Sequence, residues 1–437
     1  MRIGVLTTSY PAREGDAAGS FVRGFARWLA RQGAEVEVLA PRRGPDGDPN
    51  DAGIRVERVG MTARVLAAGV PEALERSPWA WPSGAAAAAA LSVAAWRRHR
   101  RWDALVSHWL LPCGALAAAL AGGRRHLAIA HSGDVHLALR LGLAPALARL
   151  LSRTGADTVF VSDALRAGFL AAARASALPA RVVAMGTDAG PPPDPRERAA
   201  TRAALGVTGV VVGVLARLVP IKNVGGLIDA ARRAGVTLLI AGDGPERAAL
   251  HARAAGSARF LGALAQGSTA WRGFFGALDL LCVPSIARPD GRTEGTPVVI
   301  AEAIAHGVPV LGCDSGGIAA AIGGAGLAVA PSDLAQTLRS LAGSPRTLMD
   351  LRNIAIARAP SVSWDRVGDT LASALLQNGN GPVIVQRVNR VGQVTAPARE
   401  EADNRCSAIS TSTVPSWSPS GTTKTSSARA SGRSRPT

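Results

Sequence analysis

Residues 294–307 read EGTPVVIAEAIAHG. The run from Val298 to Ile304 is apolar apart from Glu302, and Gly307 closes it, so the stretch predicts a helix. Thr296 is expected as its N-cap, with Pro297 at the first helical position. Ahead of it, LDLLCVPS at 278–285 reads as a buried strand and IARPDGRTEG at 286–295 as a polar loop. Strand, polar loop and helix make up the repeating unit of a parallel α/β sheet. Glu294 then precedes a helix N-terminus, beside the amides of Gly295 and Thr296. A carboxylate there accepts from sugar hydroxyls while the amides donate to them; the bland alternative is an ordinary loop charge. Glu302 lies about a turn and a half into an apolar helix and needs a partner. A ribose diol offers two O–H donors to one carboxylate, and an arginine ion pair serves equally well on spacing alone.

The same alternation extends in both directions. RIGVLTT (2–8), AEVEVLA (34–40), IRVERVG (54–60), ALVSH (104–108), HLAIAHSGD (126–134), DTVFVS (157–162) and RVVAMGTD (181–188) read as strands. Between the first two, FVRGFARWLARQG is a helix with Phe21, Phe25, Trp28 and Leu29 on one face. GPPPDPRERAA at 190–200 breaks the pattern, and Asp194–Pro195 restarts it with a helix. A second set follows: GVVVGVLA, VTLLIAGDG, RFLG, LDLLCVPS, PVLGCDSGG and GLAVAP, with helices between. Two Rossmann-like α/β domains are expected, at 1–189 and 196–360, with a ligand cleft between them. Residues 361–376 form a terminal helix expected to pack back on the first domain. Residues 387–437 are rich in Ser, Thr and Arg and are expected to be a disordered basic tail.

The formal net charge is +17, but the arginines are spread along the chain without a reader motif or an aromatic-studded basic patch. Nucleic acid is therefore not expected as a partner, whereas anionic nucleotides and anionic lipid headgroups suit the positive field. The four cysteines are widely separated, which fits buried small residues in a reducing compartment and no metal site. MRIGVLTTSYP lacks the pattern of an export signal, so a cytoplasmic location is expected. SGAAAAAALSVAAW at 83–96 is too short to span a bilayer. It reads as a packed helix or, with Trp79, Trp81 and Trp96 beside arginines, as a surface-lying membrane segment.

VLARLVPIKNVGGLIDA at 214–230 ends a strand, turns at Pro220 and starts a helix. Arg217 and Lys222 flank that turn and suit a diphosphate, as the following helix N-terminus does; a solvated basic loop is the alternative. In AGDGPE at 241–246, Gly242 and Gly244 permit close backbone approach or simply make a turn. His108 and His131 end predicted strands, and HSGD at 131–134 is read as a turn at the cleft edge. GDAAGSF at 15–21 is a glycine-bearing loop after the first strand.

Taken together and in order, these motifs resemble the retaining glycosyltransferases of family 4, with two facing Rossmann-like domains in the GT-B arrangement. The resemblance spans roughly residues 1–376. It rests on the pair Glu294 and Glu302 within EGTPVVIAEAIAHGVPVLGCDSGG, and on SYP with the glycine loop, HWLLP, MGTD, ARLVPIKNV and AGDGPE. It implies that Arg217 and Lys222 hold the donor diphosphate and stabilise the leaving group without a metal or other cofactor. It implies further that Glu302 binds ribose and that Glu294, with Gly295 and Thr296, clamps the donor sugar. His131 would stand near that sugar on the first-domain side with its turn ordered by Asp134, and Gly19 would approach donor phosphate or acceptor. The donor would be a UDP-, GDP- or ADP-sugar. The acceptor would be a glycan, a lipid-linked or a small molecule, met in the cytoplasm or at the inner face of an anionic membrane. The chain departs from the family pattern at Ser132, where glycine is usual, and at Ala216. A nucleotide-sugar hydrolase or epimerase of the same fold, and a non-catalytic nucleotide-sugar-binding protein, are the competing readings.

Overall fold

A computed structural model describes residues 1–42, 51, 53–60, 80–174, 178–188 and 190–376. The basic tail at 387–437, Cys406 and Trp79 lie outside the described residues, as does the side chain of Trp81. Seven parallel strands form the first sheet: β1 (Arg2–Leu6), β2 (Glu35–Pro41), β3 (Ile54–Val59), β4 (Ala104–His108), β5 (Arg125–Ala130), β6 (Asp157–Phe160) and β7 (Ala180–Val182). Six more form the second: β8 (Val211–Leu215), β9 (Thr237–Ala241), β10 (Ala258–Gly262), β11 (Leu280–Val283), β12 (Val310–Cys313) and β13 (Gly326–Val329). Their orders are β3-β2-β1-β4-β5-β6-β7 and β10-β9-β8-β11-β12-β13.

Each order reverses direction once, between β1 and β4 in the first sheet and between β8 and β11 in the second. At such a point the two loops leaving the strand ends diverge to opposite faces of the sheet and open a crevice. The glycine loop follows β1, HWLLP spans the end of β4, the Arg217–Lys222 loop follows β8 and the Glu294 loop follows β11. Four of the motifs singled out in the sequence thus flank the two crevices.

The interior strands are buried on both faces, as parallel sheets covered by helices require, whereas the edge strands β3, β7, β10 and β13 are partly exposed. Phe25, Trp28, Leu29, Phe160 and Phe169 fill the main first-domain core. Several strands are shorter than expected, two in the first sheet by the most. The strand read over 126–134 stops at Ala130, and Ser132–Arg140 is a helix. The strand read over 181–188 is only Ala180–Val182, after which Thr187 bridges to Ser363.

The last helix, Trp364–Leu376, returns to the first domain. Trp364, Val367, Leu371 and Leu375 form one stripe and join the core around Phe25 and Trp28. The fit is reciprocal. A Cβ at Gly24 would stand 2.0 Å from the Trp364 indole nitrogen, and one at Gly368 would stand 2.3 Å from the Trp28 ring. Arg181 donates to the Thr370 and Leu371 carbonyls, and Arg125 donates to that of Leu375, so main-chain acceptors late in the helix are occupied.

The alanine-rich run lies within helix Ala80–Arg98, which packs Ala87, Leu91, Ala94 and Ala95 inward. Its outer face leaves Val93 and Trp96 exposed, the latter at 66%. No single described helix is long and apolar enough to cross a bilayer.

Candidate functional site

The Arg217–Lys222 loop is built by its neighbour. Leu218 N–H donates to the Asp243 carbonyl at 2.9 Å, and Glu246 N–H returns a bond to the Leu218 carbonyl at 3.1 Å. Two glycines make this contact possible. Gly242 has φ +130°, and a Cβ there would overlap the Ala216 carbonyl oxygen at 1.8 Å; at Gly244 it would meet the Leu218 carbonyl oxygen at 2.4 Å. Protein backbone alone therefore selects glycine at both positions. Asn223, in the left-handed region, turns the chain from the short Pro220–Lys222 turn into helix Val224–Ala234. Arg217 sits part-buried two residues beyond β8.

Lys222 Nζ lies 2.6 Å from Glu294 Oε1, with both side chains mostly covered. The cation expected at the diphosphate and the carboxylate expected at the sugar are thus brought together. The loop carrying Glu294 is braced by Gly317 N–H, which donates to the Glu294 carbonyl at 3.3 Å. Thr296 corrects an expectation. The helix runs Val298–Ala305 with Pro297 at its N-cap position and no side-chain cap. Thr296 Oγ1 instead donates to the Val161 carbonyl of the first domain at 2.5 Å. The hydroxyl found an interdomain acceptor, which a reading confined to local capping could not include.

Two further bonds join the same loop to the first domain. Ser132 Oγ donates to the Thr293 carbonyl at 2.7 Å, and Thr293 N–H donates to His136 Nε2 at 3.3 Å. Gly295 presses on that domain too: a Cβ would stand 3.0 Å from Val161 Cγ2 and 3.3 Å from Ser132 Cβ. Ser132, the departure within HSGD, is thereby a bridging residue, and His131 and Glu294 are the chain neighbours of the two bonded residues.

His131 is buried and neutral. Burial pushes its pKa down to about 3. Its Nε2 lies 3.2 Å from His108 Nδ1, and the rings stack with centroids 5.4 Å apart. His108 is likewise held well below the ordinary value by burial, then by His131. Asp134 orders the turn: Oδ1 accepts from His131 N–H at 2.9 Å and Oδ2 from Leu110 N–H at 2.5 Å. Burial raises Asp134 to about 7 despite those donors. The sequence reading gave no role here to Trp109 or to Phe21 beyond its helix face. Their rings lie 4.9 and 4.8 Å from that of His131. Trp109 also has φ +69°, ψ +119°, strain of the kind that gathers at functional sites. HWLLP held the clue, but nothing in its spacing said which face the indole would take.

Glu302 is 6% exposed, and burial raises its pKa to about 7. Its partner is Gln266, whose Nε2 donates to Oε1 at 2.6 Å. The arginine ion pair that spacing left open does not form; no cation among the described residues pairs with Glu302. Gln266 carried no sequence signature, since a lone glutamine in a loop has no periodic or motif context. Its main-chain N–H donates to the Gly15 carbonyl at 2.9 Å, joining the first-domain glycine loop to the second domain. Gly19, φ +77°, closes that loop against Ser9, where a Cβ would meet the Ser9 carbonyl oxygen at 2.4 Å. Among the described residues, no group of three or more His, Cys, Asp or Glu side chains converges as a metal site would.

Residues 18–190 match the family model described as Glycosyltransferase Family 4, and 209–343 match the one described as Glycosyl transferases group 1. Alr3699/HepE of Anabaena, solved in complex with UDP, superposes with TM-score 0.64 at 20% identity, covering 86% of this chain and 99% of the other. Sucrose-phosphate synthase from Thermosynechococcus elongatus gives TM-score 0.62 at 17% identity, covering 86% and 98%. WaaG, a glycosyltransferase involved in lipopolysaccharide biosynthesis, gives 0.60 at 16%, covering 85% and 99%. No curated protein sequence matches. The two-sheet architecture is that of the GT-B fold.

Proposed function

We propose that this chain is a family 4 glycosyltransferase that moves a sugar from a nucleotide donor to an acceptor with retention of anomeric configuration. The observation that carries the reading is the placement of two carboxylates around one helix start. Glu294 stands at the mouth beside Lys222, and Glu302 is buried with an amide as partner. A structural carboxylate at Glu302's depth would ordinarily have a cation or several donors. This one keeps accepting capacity for a ligand, and a ribose diol matches it.

In this reading the donor lies along the second-domain crevice. Lys222, with Arg217 beside it in the loop, faces the diphosphate and neutralises charge as it departs. Lys222 then exchanges Glu294 for phosphate oxygens, and Glu294 is released to accept from sugar hydroxyls. The amide of Gly295 donates to the same sugar. Neutral His131 presents an uncharged imidazole on the opposite wall, where a cation would compete with Lys222 for the phosphates. Retention follows from attack on the face that the diphosphate leaves, with the departing phosphate taking the acceptor proton. No covalent glutamate is invoked. UDP is the first donor nucleotide to try, because HepE was solved with UDP; GDP- and ADP-sugars fit the same contacts.

The acceptor is a glycan, a lipid-linked or a small molecule. A place at an anionic membrane is favoured by helix Ala80–Arg98: Val93 and Trp96 stand exposed beside Arg97 and Arg100. Incubation with UDP-, GDP- and ADP-sugars, with and without an acceptor panel, tests the function. Nucleoside diphosphate released only with acceptor, and a product anomer matching the donor, support it. Release without acceptor identifies a hydrolase, and binding without consumption identifies a non-catalytic protein.

A further inference from the structure

Gln266 touches both halves of the molecule. Its side chain holds Glu302 and its backbone holds the first-domain glycine loop. The contact with that loop is close: a Cβ at Gly15 would stand 2.6 Å from Ala265 Cβ. The loop itself is well formed. Asp16 accepts from the Ala12 and Ala18 amides at 3.1 and 2.9 Å, and Arg23 binds Glu14 through both terminal nitrogens. Gln266 thus sits between a fixed loop and a buried carboxylate.

A carboxylate on a helix turns about its last torsion unless something stops it. One short bond from an amide fixes the plane of Glu302 and occupies one oxygen, leaving the other for an incoming donor. The amide carbonyl of Gln266 is a further acceptor beside it. We propose that Gln266 is a positioning residue for Glu302: it sets the carboxylate to receive a vicinal diol and thereby makes the site discriminate ribose from deoxyribose. This deepens the reading of Glu302 as the ribose ligand and rests on it. A purely structural amide would merely ease the burial of a charge. Its loss would change stability and leave discrimination alone.

The test is calorimetric titration of the full chain with UDP, GDP and ADP, then of the tightest-binding one against its 2′-deoxy counterpart. Gln266→Met keeps length without a donor, and Gln266→Glu keeps shape but sets a second carboxylate against Glu302. In the parent chain the ribonucleotide should bind at least tenfold tighter than the deoxynucleotide. In Q266M that ratio should fall to within about threefold, mostly through weaker ribonucleotide binding. Q266E should lose discrimination above pH 7 and recover part of it as the shared site takes up a proton. Circular dichroism reports whether each variant is folded. An unchanged ratio in folded Q266M overturns the proposal. Glu302→Gln separates the two ideas. If E302Q binds ribonucleotide as the parent does, the ribose reading itself fails. If E302Q loses binding while Q266M discriminates normally, only the role of Gln266 fails.

Discussion

Lys222 Nζ and Glu294 Oε1 lie 2.6 Å apart, so two groups assigned to opposite ends of a diphosphosugar neutralise each other across the crevice. The pair couples the loop after β8 to the loop after β11, the two strands at the second sheet's switch point. On the proposed reading a donor phosphate competes with Glu294 for Lys222, and that competition has a measurable signature.

A double-mutant cycle with Lys222→Ala and Glu294→Ala should show coupling of a few tenths to 1 kcal/mol in the stability of the unliganded protein. With saturating nucleoside diphosphate the coupling should vanish, because Lys222 then faces phosphate. Turnover should fall about 10²-fold or more in each single variant. Persistent coupling in the liganded protein would argue that the pair is structural.

Ser132→Gly removes the bond to the Thr293 carbonyl. Loss of one such bond is worth about 1 kcal/mol. The donor KM should rise about threefold to tenfold, with overall stability changed by less. Ser132→Thr keeps a hydroxyl and should restore part of the loss. Equal donor KM in all three would remove Ser132 from the account.

Glu302 yields a pH prediction. Its pKa is raised from 4.5 to about 7 by burial, so the folded protein holds this proton more tightly than the unfolded chain. The cost of burying the charge is therefore absent below about 4.5 and grows as pH rises through 7. Glu302→Gln should stabilise the fold at pH 8 by roughly 2–3 kcal/mol, with little gain at pH 4.5, while abolishing tight nucleotide binding. In the parent chain, nucleotide affinity should fall as pH drops below about 7, and binding there should release a proton, read from titrations in buffers of different ionisation enthalpy.

Trp364→Ala should cost about 3–5 kcal/mol, since the indole fills the space beside Gly24 in the first-domain core. Chemical denaturation followed by Trp fluorescence checks this. A loss under 1 kcal/mol would mean that the last helix is not an integral part of that core.

Most of the strands and the helix after Glu294 were legible because parallel strands buried on both faces leave uninterrupted apolar runs, and polar loops punctuate them. The two carboxylates were legible for the converse reason: an apolar helix has no local use for them. Contacts between distant segments were not. Thr296 looked like a cap, and only the folded chain brings the Val161 carbonyl within its reach. Helix Ser132–Arg140 was hidden because HSGD at the end of a strand looks like a turn, and the same residues instead form the first turn of the helix. Gln266 was invisible, since its importance comes from two neighbours 36 and about 250 positions away.

The most direct measurement of the central claim is nucleoside diphosphate release from UDP-, GDP- and ADP-sugars by the parent chain, Arg217→Ala and Lys222→Ala, with an acceptor panel present. The account predicts turnover of at least one nucleotide class by the parent, and loss of it in both variants while circular dichroism shows an unchanged fold. Undiminished turnover in both variants would contradict it.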